Sequence, residues 1–369
     1  MISKDLIIYG AGLHARKLSR AFENIGHNIH AFVTSRPGSL QECEKTPVFS
    51  IGNVPDSLRD NCQLVCGVFN RTDAFAELAA TAADNRFNDI IWPWEYYPLV
   101  HKELGWCYWL DEQPKTLSDW QQDPSYTELC AQLADEESQV TLNRILSFRS
   151  GSDLEFSSFH SSDPQYFNHL TLDSLPSDQP VSFMDIGAYD GDTLQSLRTF
   201  RRVGKVLLFE PDPSNYHALT QNLQRLILQF PEMDPLALPL GAGQEFGSFL
   251  MSGEGEAASM AGLDQQSNTF GRSVTVVPID EAMPTACFDF VKIDVEGNDL
   301  AALKGMEKLL RRSKSVLAVS LYHRPRDIVE LPLAIMSMLR EIPYSYYIRQ
   351  HMNNSFETVL YAIPVKEAV

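Results

Sequence analysis

The sequence is poor in cysteine and in basic residues, and it has no long apolar run. Its six cysteines form no C-x-x-C pair and no metal-binding spacing, so they are expected to be reduced thiols. Lysine and arginine number 30 against 48 acidic residues, giving a net charge of −18, which argues against a nucleic-acid partner. No stretch has the length of a membrane span, and the first residues lack a signal-peptide pattern. We therefore expect a cytoplasmic protein with no membrane partner.

An apolar stretch that ends in an acid and two glycines is the most informative part of the chain. Residues 182–193 read SFMDIGAYDGDT, and apolar residues at helical spacing follow. This order predicts a strand, a tight turn and a helix. Gly187 and Gly191 would let the backbone turn sharply and approach a ligand, which the first N–H groups of the helix would face. The structural alternative is a turn that merely needs glycine.

The next predicted strand, residues 205–209, is followed by an acid at the spacing of a ribose-binding residue. Glu210 lies 19 residues after Gly191 (210 − 191), the distance at which a βαβ unit places an acid that accepts hydrogen bonds from ribose hydroxyls. The turn is not the G-x-G-x-x-G of dinucleotide enzymes, because Asp185 precedes its first glycine and only one more glycine follows. This form suits S-adenosylmethionine, whose ammonium a carboxylate can meet.

Other predicted strands end in residues that could act on a second substrate. Ligands of open α/β sheets lie at the carboxyl ends of the strands, so Gly241, Asp294, Glu296 and His323 are expected near the glycine turn. His323 is the candidate general base, because its intrinsic pKa lies near the working pH; a purely structural histidine is the alternative. Asp294 and Glu296 could orient an acceptor hydroxyl or hold Mg²⁺. Two carboxylates alone make a poor metal site, so no metal is expected.

Further residues are weaker candidates for the same site. Lys292 precedes the two carboxylates and could pair with them. Three residues at the predicted turn of the last hairpin could border the acceptor pocket, although turn chemistry also explains the asparagines: His351, Asn353 and Asn354.

Residues 1–100 predict a smaller Rossmann-like α/β domain. A G-x-G-x-x-A turn, Gly10 to Ala15, follows the first predicted strand. The second predicted strand ends without an acid for a ribose, and Arg36 near its end is better explained as a surface residue than as a 2′-phosphate ligand. This region resembles the N-terminal nucleotide-binding domain of some sugar-modifying enzymes. A bound nucleotide and a degenerate domain used for docking or homo-oligomer contact both remain open.

Residues 101–179 predict a helical connector and a long loop before a C-terminal domain at residues 180–369. Eight aromatic residues between 92 and 120 are interspersed with proline and leucine, which favours a packed interdomain seam over a carbohydrate-binding surface. The Gly/Ser-rich stretch 252–272 has the composition of a flexible loop that could close over a substrate.

Three stretches of the C-terminal half resemble the FkbM-type S-adenosylmethionine-dependent methyltransferases: residues 184–193, residues 209–211, and residues 291–297 together with 303–305. The resemblance covers about residues 180–362. It implies a seven-stranded Rossmann-like methyltransferase sheet and O-methylation of a hydroxyl. This sequence departs from the family at two positions where the family often has Glu: it has Asp299 at one and Ser320, upstream of His323, at the other. Because the second position lacks an acid, His323 becomes the more important candidate for the catalytic role.

The resemblance also implies the cofactor contacts. It assigns them to Asp185, Gly187, Gly191 and Glu210, and the predicted cofactor site is completed by their neighbours and one further strand end: Ala188, Asp190, Pro211 and Gly241. The predicted function is S-adenosylmethionine-dependent O-methylation of a sugar, glycan or related small molecule, with His323, Asp294 and Glu296 as catalytic residues. The alternatives are an NAD-dependent oxidoreductase that uses the N-terminal glycine turn, and a non-catalytic S-adenosylmethionine-binding module.

Overall fold

The computed structural model describes residues 2–35, 41–155, 159–252, 259–261 and 272–366, and it divides the chain into two compact units. The amino unit comprises Met1–Pro124, Val140–His160 and Met352–Glu357. The carboxy unit comprises Ser125–Gln139, Ser161–His351 and Thr358–Val369. Both units are discontinuous in sequence, and they share the residues of the predicted connector 101–179. Arg36 and most of the predicted loop 252–272 lie outside the described residues.

The amino unit contains a six-stranded sheet. Its strands are β1 (Asp5–Tyr9), β2 (Asn28–Thr34), β3 (Glu42–Cys43), β4 (Thr46–Ser50), β5 (Gln63–Cys66) and β6 (Ile90–Ile91). Their order is β3-β4-β2-β1-β5-β6, and all neighbours are parallel except β3 and β4. The prediction of an N-terminal Rossmann-like α/β fold is confirmed.

Five helices accompany this sheet: α1 (Leu13–Asn24), α2 (Asp56–Asn61), α3 (Phe75–Asp84), α4 (Pro93–Leu104) and α5 (Leu117–Gln121). The helices α6 (Pro124–Gln132) and α7 (Glu136–Arg149) contribute residues to both units. Most aromatic residues of the stretch 92–120 lie in or against the core of the amino unit, among them Trp94, Tyr96 and Trp109. They pack the interior of this unit, in place of the predicted interdomain seam.

The carboxy unit contains a seven-stranded sheet, as predicted. Its strands are β7 (Val181–Ile186), β8 (Val203–Phe209), β9 (Asp234–Leu238), β14 (Phe290–Ile293), β15 (Val316–Ser320), β16 (Tyr344–Gln350) and β17 (Thr358–Pro364). Their order is β16-β17-β15-β14-β7-β8-β9, and β17 is antiparallel to both of its neighbours. Every residue of β14 and β15 is buried, as expected for parallel strands that are covered on both faces.

A smaller four-stranded sheet and seven helices complete the described part of the carboxy unit. The small sheet contains β10 (Gly241–Ala242), β11 (Gly247–Ser252), β12 (Ser259–Ala261) and β13 (Arg272–Val277). The helices are α8 (His169–Leu172), α9 (Asp192–Phe200), α10 (Pro213–Gln229), α11 (Ile279–Ala282), α12 (Asp299–Lys304), α13 (Glu307–Ser313) and α14 (Asp327–Leu339). Within the described ranges, no helix combines the length and apolar character that a bilayer crossing requires.

The order of the large sheet positions the candidate site. The chain passes from β7 to β8 and β9 on one side, and then returns to β14 on the other side of β7. The switch point between β7 and β14 is where open α/β sheets bind ligands, at the carboxyl ends of the strands.

The turn between β16 and β17 belongs to the amino unit. Asn354 is fully buried there. Its Nδ2 donates to the carbonyl oxygens of Asn70 and Asp73, both at 2.8 Å, and its Oδ1 accepts from the backbone N–H of Phe75 at 3.1 Å. Asn353 also contacts this loop, through Arg71. Both asparagines therefore stabilise the amino unit, and the suggestion that they border an acceptor pocket stays a prediction.

Candidate active site

The glycine turn after β7 has an unusual backbone. Gly187, Tyr189 and Gly191 all have positive φ, at 85°, 49° and 88°. The backbone N–H groups of Gly187 and Ala188 both donate to the carbonyl oxygen of Phe209, at 3.0 and 2.9 Å. The turn is therefore fixed to the end of β8 before α9 begins.

Gly187 is required by a neighbouring backbone atom, whereas Gly191 is favoured mainly by its positive φ. A Cβ at Gly187 would lie 1.9 Å from the carbonyl oxygen of Asp294. A Cβ at Gly191 would lie 2.9 Å from Leu219 Cδ1. Gly187 is thus explained by its packing against the residue that follows β14, and Gly191 by its left-handed backbone and its contact with α10. The prediction had attributed both glycines to the approach of a ligand.

Glu210 lies next to the glycine turn. Its Oε2 accepts from the backbone N–H of Tyr189 at 2.8 Å, and its Oε1 accepts from that of Asp212 at 2.9 Å. The side chain is buried, and this burial raises the pKa of the Glu210 carboxyl to about 7. Oε1 also accepts from Nδ2 of Asn215 at 3.5 Å, whereas Oε2 can accept a second hydrogen bond, so the residue fits the predicted role of a ribose acid.

Asp185 lies in a different environment from the one predicted. It is fully buried, and its Oδ1 lies 3.0 Å from Nζ of Lys292. Nζ also donates to the carbonyl oxygen of Gly187 at 2.6 Å. Burial raises the pKa of Asp185 to about 7 against the opposing effect of Lys292. Asp185 holds the turn through Lys292, and its contact with a cofactor stays a prediction. Lys292 forms its ion pair with Asp185 rather than with Asp294 and Glu296.

The remaining predicted cofactor residues are divided between the turn and another sheet. Ala188 is buried in the turn, and the carbonyl oxygen of Asp190 accepts from Asn222 Nδ2 at 2.9 Å. Pro211 follows Glu210 directly, before α10. Gly241 instead begins β10 of the four-stranded sheet, where it pairs with Val276.

His323 lies at the centre of a cluster of carboxylates. Its Nδ1 is 2.9 Å from Asp299 Oδ2, and its Nε2 is 3.0 Å from Asp294 Oδ1 and 3.8 Å from Glu296 Oε2. Burial opposes the charged imidazolium, but Asp299, Glu296 and Asp294 together raise the pKa of His323 well above its ordinary value. The predicted base role assumed an ordinary pKa for His323, and this premise fails because both ring nitrogens face carboxylates.

Backbone geometry brings Glu296 into this cluster. Glu296 has a φ of 51° and the following Gly297 a φ of 92°. Asp299 holds this loop, since its Oδ1 accepts from the N–H of Val295 at 3.2 Å and its Oδ2 from that of Gly297 at 3.1 Å. The sequence analysis gave Asp299 no role; an acid two residues after a glycine, at the start of a helix, was the available signal.

Tyr166 is a second site residue that the sequence analysis did not assign. Its hydroxyl donates to Asp294 Oδ2 at 3.1 Å. Burial opposes ionisation of Asp294, but His323, Lys292 and Tyr166 hold the pKa of its carboxyl well below the ordinary value. Asp294 is therefore an ionised carboxylate at neutral pH. No sequence pattern links Tyr166 to a strand end, because it lies in the irregular stretch before β7.

The N-terminal glycine turn has no comparable cluster of acids among the described residues around it. Gly10 has a φ of 112°, and its N–H donates to the carbonyl oxygen of Val33 at 2.7 Å. The end of β2 offers the hydroxyl of Ser35, 2.5 Å from that of Tyr9. His14, in the helix that follows, is directed at the hydroxyl of Tyr96 at 3.0 Å.

Comparisons with known proteins identify the part of the chain that carries this site. The crystal structure of methyltransferase FkbM from Methylobacillus flagellatus KT has a TM-score of 0.69 and 22% identity, covering 98% of this chain and 90% of that one; it supports the fold. Two other solved structures are more distant. An rRNA methylase from Streptococcus thermophilus has a TM-score of 0.34 and 13% identity, covering 53% of this chain and 93% of that one. Aeropyrum pernix fibrillarin in complex with S-adenosyl-L-methionine has a TM-score of 0.31 and 12% identity, covering 53% of this chain and 73% of that one. No curated protein sequence matches.

The family model described as "Methyltransferase FkbM domain" matches residues 185–346. This range includes the glycine turn, Glu210 and the cluster around His323. Residues 185–346 therefore form a methyltransferase domain of the FkbM family.

Proposed function

We propose that this methyltransferase uses S-adenosylmethionine and methylates a hydroxyl of a sugar, a glycan or a related small molecule. The observation that carries the proposal is the position of Glu210, whose carboxylate lies 2.8 Å from the backbone of the glycine turn at the adjacent strand end. The resemblance to FkbM-type enzymes, together with the family match, supports the choice of cofactor and of reaction.

The residues of the turn and of β8 would hold the cofactor. Glu210 would accept hydrogen bonds from the ribose hydroxyls, which would provide partners for a carboxylate that is otherwise costly to bury. Asp185 and Lys292 would keep the turn in the required conformation. When bound, S-adenosylmethionine supplies a methyl group already activated by its sulfonium, so the protein contributes mainly positioning.

Asp294 and Glu296 would bind the acceptor. Their side chains are 17% and 26% exposed, whereas His323 behind them is completely buried. An acceptor hydroxyl would therefore donate a hydrogen bond to one of these carboxylates, and its proton would pass to that carboxylate as the oxygen takes the methyl group. His323, 3.0 Å from Asp294, would position the carboxylate of Asp294. With the two carboxylates contacting the acceptor and His323 behind them, His323, Asp294 and Glu296 remain the proposed catalytic group.

The first experiment is a calorimetric titration with S-adenosylmethionine of the wild type and of two variants. Glu210→Gln should weaken binding by about 10-fold or more, since the amide places a donor opposite the backbone N–H of Tyr189 or Asp212 and removes a ribose acceptor. Glu281→Gln, an exposed residue of α11, is the matched control and should bind as the wild type does.

Two outcomes would count against this assignment. If the wild type binds no S-adenosylmethionine, the proposed cofactor is wrong. If it binds, but Glu210→Gln binds equally well, Glu210 is not the ribose acid. Once binding is established, methyl transfer to a panel of free and nucleotide-linked sugars tests the acceptor class.

A further inference from the structure

Asp294, Glu296 and His323 have the spacing of ligands around one ion. One ligand atom from each lies within 4.8 Å of the other two. His323 Nε2 is 3.0 Å from the Asp294 oxygen and 3.8 Å from the Glu296 oxygen. Two ligand atoms that are each about 2.1 Å from a metal ion lie about 3 to 4 Å from each other. Small side-chain movements would therefore suffice for all three atoms to contact one ion.

The second nitrogen of His323 has the support that metal-binding histidines usually have. Its Nδ1 lies 2.9 Å from Asp299 Oδ2, and Asp299 is itself held by the N–H groups of Val295 and Gly297. A carboxylate on one ring nitrogen fixes the tautomer and directs the other nitrogen to the metal. Here the other nitrogen is directed at the two carboxylates that would complete the ligand set.

The local charge also favours a cation. Asp294, Glu296 and Asp299 all approach the single imidazole of His323, so a protonated ring would offset only one of three negative charges. Lys292, whose charge also lowers the pKa of Asp294, forms its ion pair with Asp185. Asp299 is buried, and the side chains of Asp294 and Glu296 are only 17% and 26% exposed. Grouped carboxylates that are largely removed from water are costly unless charge of opposite sign compensates them, and a divalent ion beside a neutral imidazole would supply twice the charge of an imidazolium.

We propose that Asp294, Glu296 and His323 bind one divalent first-row metal ion, such as Mn²⁺, with Asp299 orienting the histidine. A mixed set of one imidazole nitrogen and two carboxylate oxygens suits such ions better than Ca²⁺ or Mg²⁺, which prefer oxygen ligands alone. The sequence analysis expected no metal because it counted two carboxylates. The fold adds the imidazole as the third ligand.

A metal at this position would have a consequence for methyl transfer, and this step rests on the proposed function. An acceptor hydroxyl that reaches Asp294 and Glu296 would also reach the ion, which would lower the pKa of that hydroxyl. His323 would then be a ligand and would not act as a base. Metal binding itself can be measured without any acceptor or cofactor.

The test is a titration of chelator-treated, full-length protein with Mn²⁺ at pH 7.5, followed by calorimetry and by electron paramagnetic resonance of the free ion. We expect one site per chain in the wild type. Glu296→Gln should weaken it by about 10-fold or more, because an amide oxygen replaces an anionic ligand. Asp163→Asn is the matched control, because Asp163 also pairs with a histidine: its Oδ2 lies 3.0 Å from Nδ1 of the exposed His169. This variant should bind Mn²⁺ as the wild type does.

Circular dichroism of each variant would show that it is folded before its affinity is interpreted. The proposal is overturned if the wild type binds no Mn²⁺ at millimolar concentration, or if a folded Glu296→Gln protein binds it as tightly as the wild type. S-adenosylmethionine binding is measured separately, so loss of the metal proposal would leave the proposed cofactor intact.

Discussion

Individual residues of the site act mainly through partners that are distant in sequence. Asp185 precedes Lys292 by more than a hundred residues, yet their side chains form a buried ion pair at 3.0 Å beneath the glycine turn. Lys292 adds a hydrogen bond to Gly187 of that turn. The acid that precedes the glycine turn thus also stabilises the turn itself, through Lys292.

The ion pair leads to a double-mutant prediction. Asp185→Asn should destabilise the carboxy unit by about 3 to 5 kcal/mol, because it leaves Lys292 buried without its counterion. Lys292→Met should cost a similar amount for the converse reason. The double variant should be markedly more stable than the sum of the single effects implies, as measured by urea unfolding and far-UV circular dichroism. Strictly additive effects would show that the two side chains are not coupled.

Residue roles were less predictable than residue positions. The strand-end rule correctly brought Asp294, Glu296 and His323 together, because the carboxyl ends of parallel strands share one edge. It could not show that Asp299 and Asp294 would occupy both nitrogens of His323, because that depends on side-chain directions. Tyr166 was not assigned for a similar reason: it lies outside any strand, and only tertiary structure places its hydroxyl near Asp294.

At the level of elements, strands were more predictable than turns. Continuous apolar runs indicated β7, β8, β14 and β15, since both faces of the sheet are covered. Gly241 shows the limit of the same reasoning, because it begins a strand of the smaller sheet although its sequence suggested the end of a strand in the large one. A short strand of two residues has no pattern that assigns it to one sheet or another.

Glycines in turns should differ sharply in their tolerance of alanine. Gly187→Ala should destabilise the protein by more than about 3 kcal/mol, because the new Cβ would overlap the Asp294 carbonyl oxygen at 1.9 Å. Gly26→Ala is the control, since Gly26 also has a positive φ but has no atom within 4 Å of its added Cβ. It should lose only about 1 kcal/mol of backbone strain. Chemical unfolding of both variants measures the difference, and equal losses would contradict the steric explanation.

At the level of the whole molecule, the chain crosses between its two units several times. The sequence analysis predicted consecutive domains because composition and spacing describe neighbours along the chain. The segment Met352–Glu357 belongs to the amino unit through contacts that no local pattern reveals: the carboxamide of Asn354, the ion pair of Arg71 with Glu357 at 2.9 Å, and the bond from Arg149 to Ser355 at 2.8 Å.

This segment makes the stability of the amino unit depend on residues that follow β16 in the chain. Asn354→Ala should destabilise that unit by about 2 to 4 kcal/mol, because three backbone groups lose their buried partner. Asn353→Ala is the matched control and should cost less than about 1 kcal/mol. All five tryptophans lie between residues 92 and 120, so tryptophan fluorescence during urea unfolding reports on this unit. Equal effects of the two substitutions would refute the assigned role of Asn354.

The same segment sets an order of events during protein synthesis. A ribosome adds roughly 5 to 20 residues per second, so about 10 to 40 s pass between translation of residue 160 and that of residue 357. Throughout this interval the residues of the amino unit's sheet and aromatic core have been made but Asn354 has not, so the backbone groups of Asn70, Asp73 and Phe75 lack their carboxamide partner. The amino unit therefore completes its structure only after residue 357, and with it most of the large sheet of the carboxy unit, has been made.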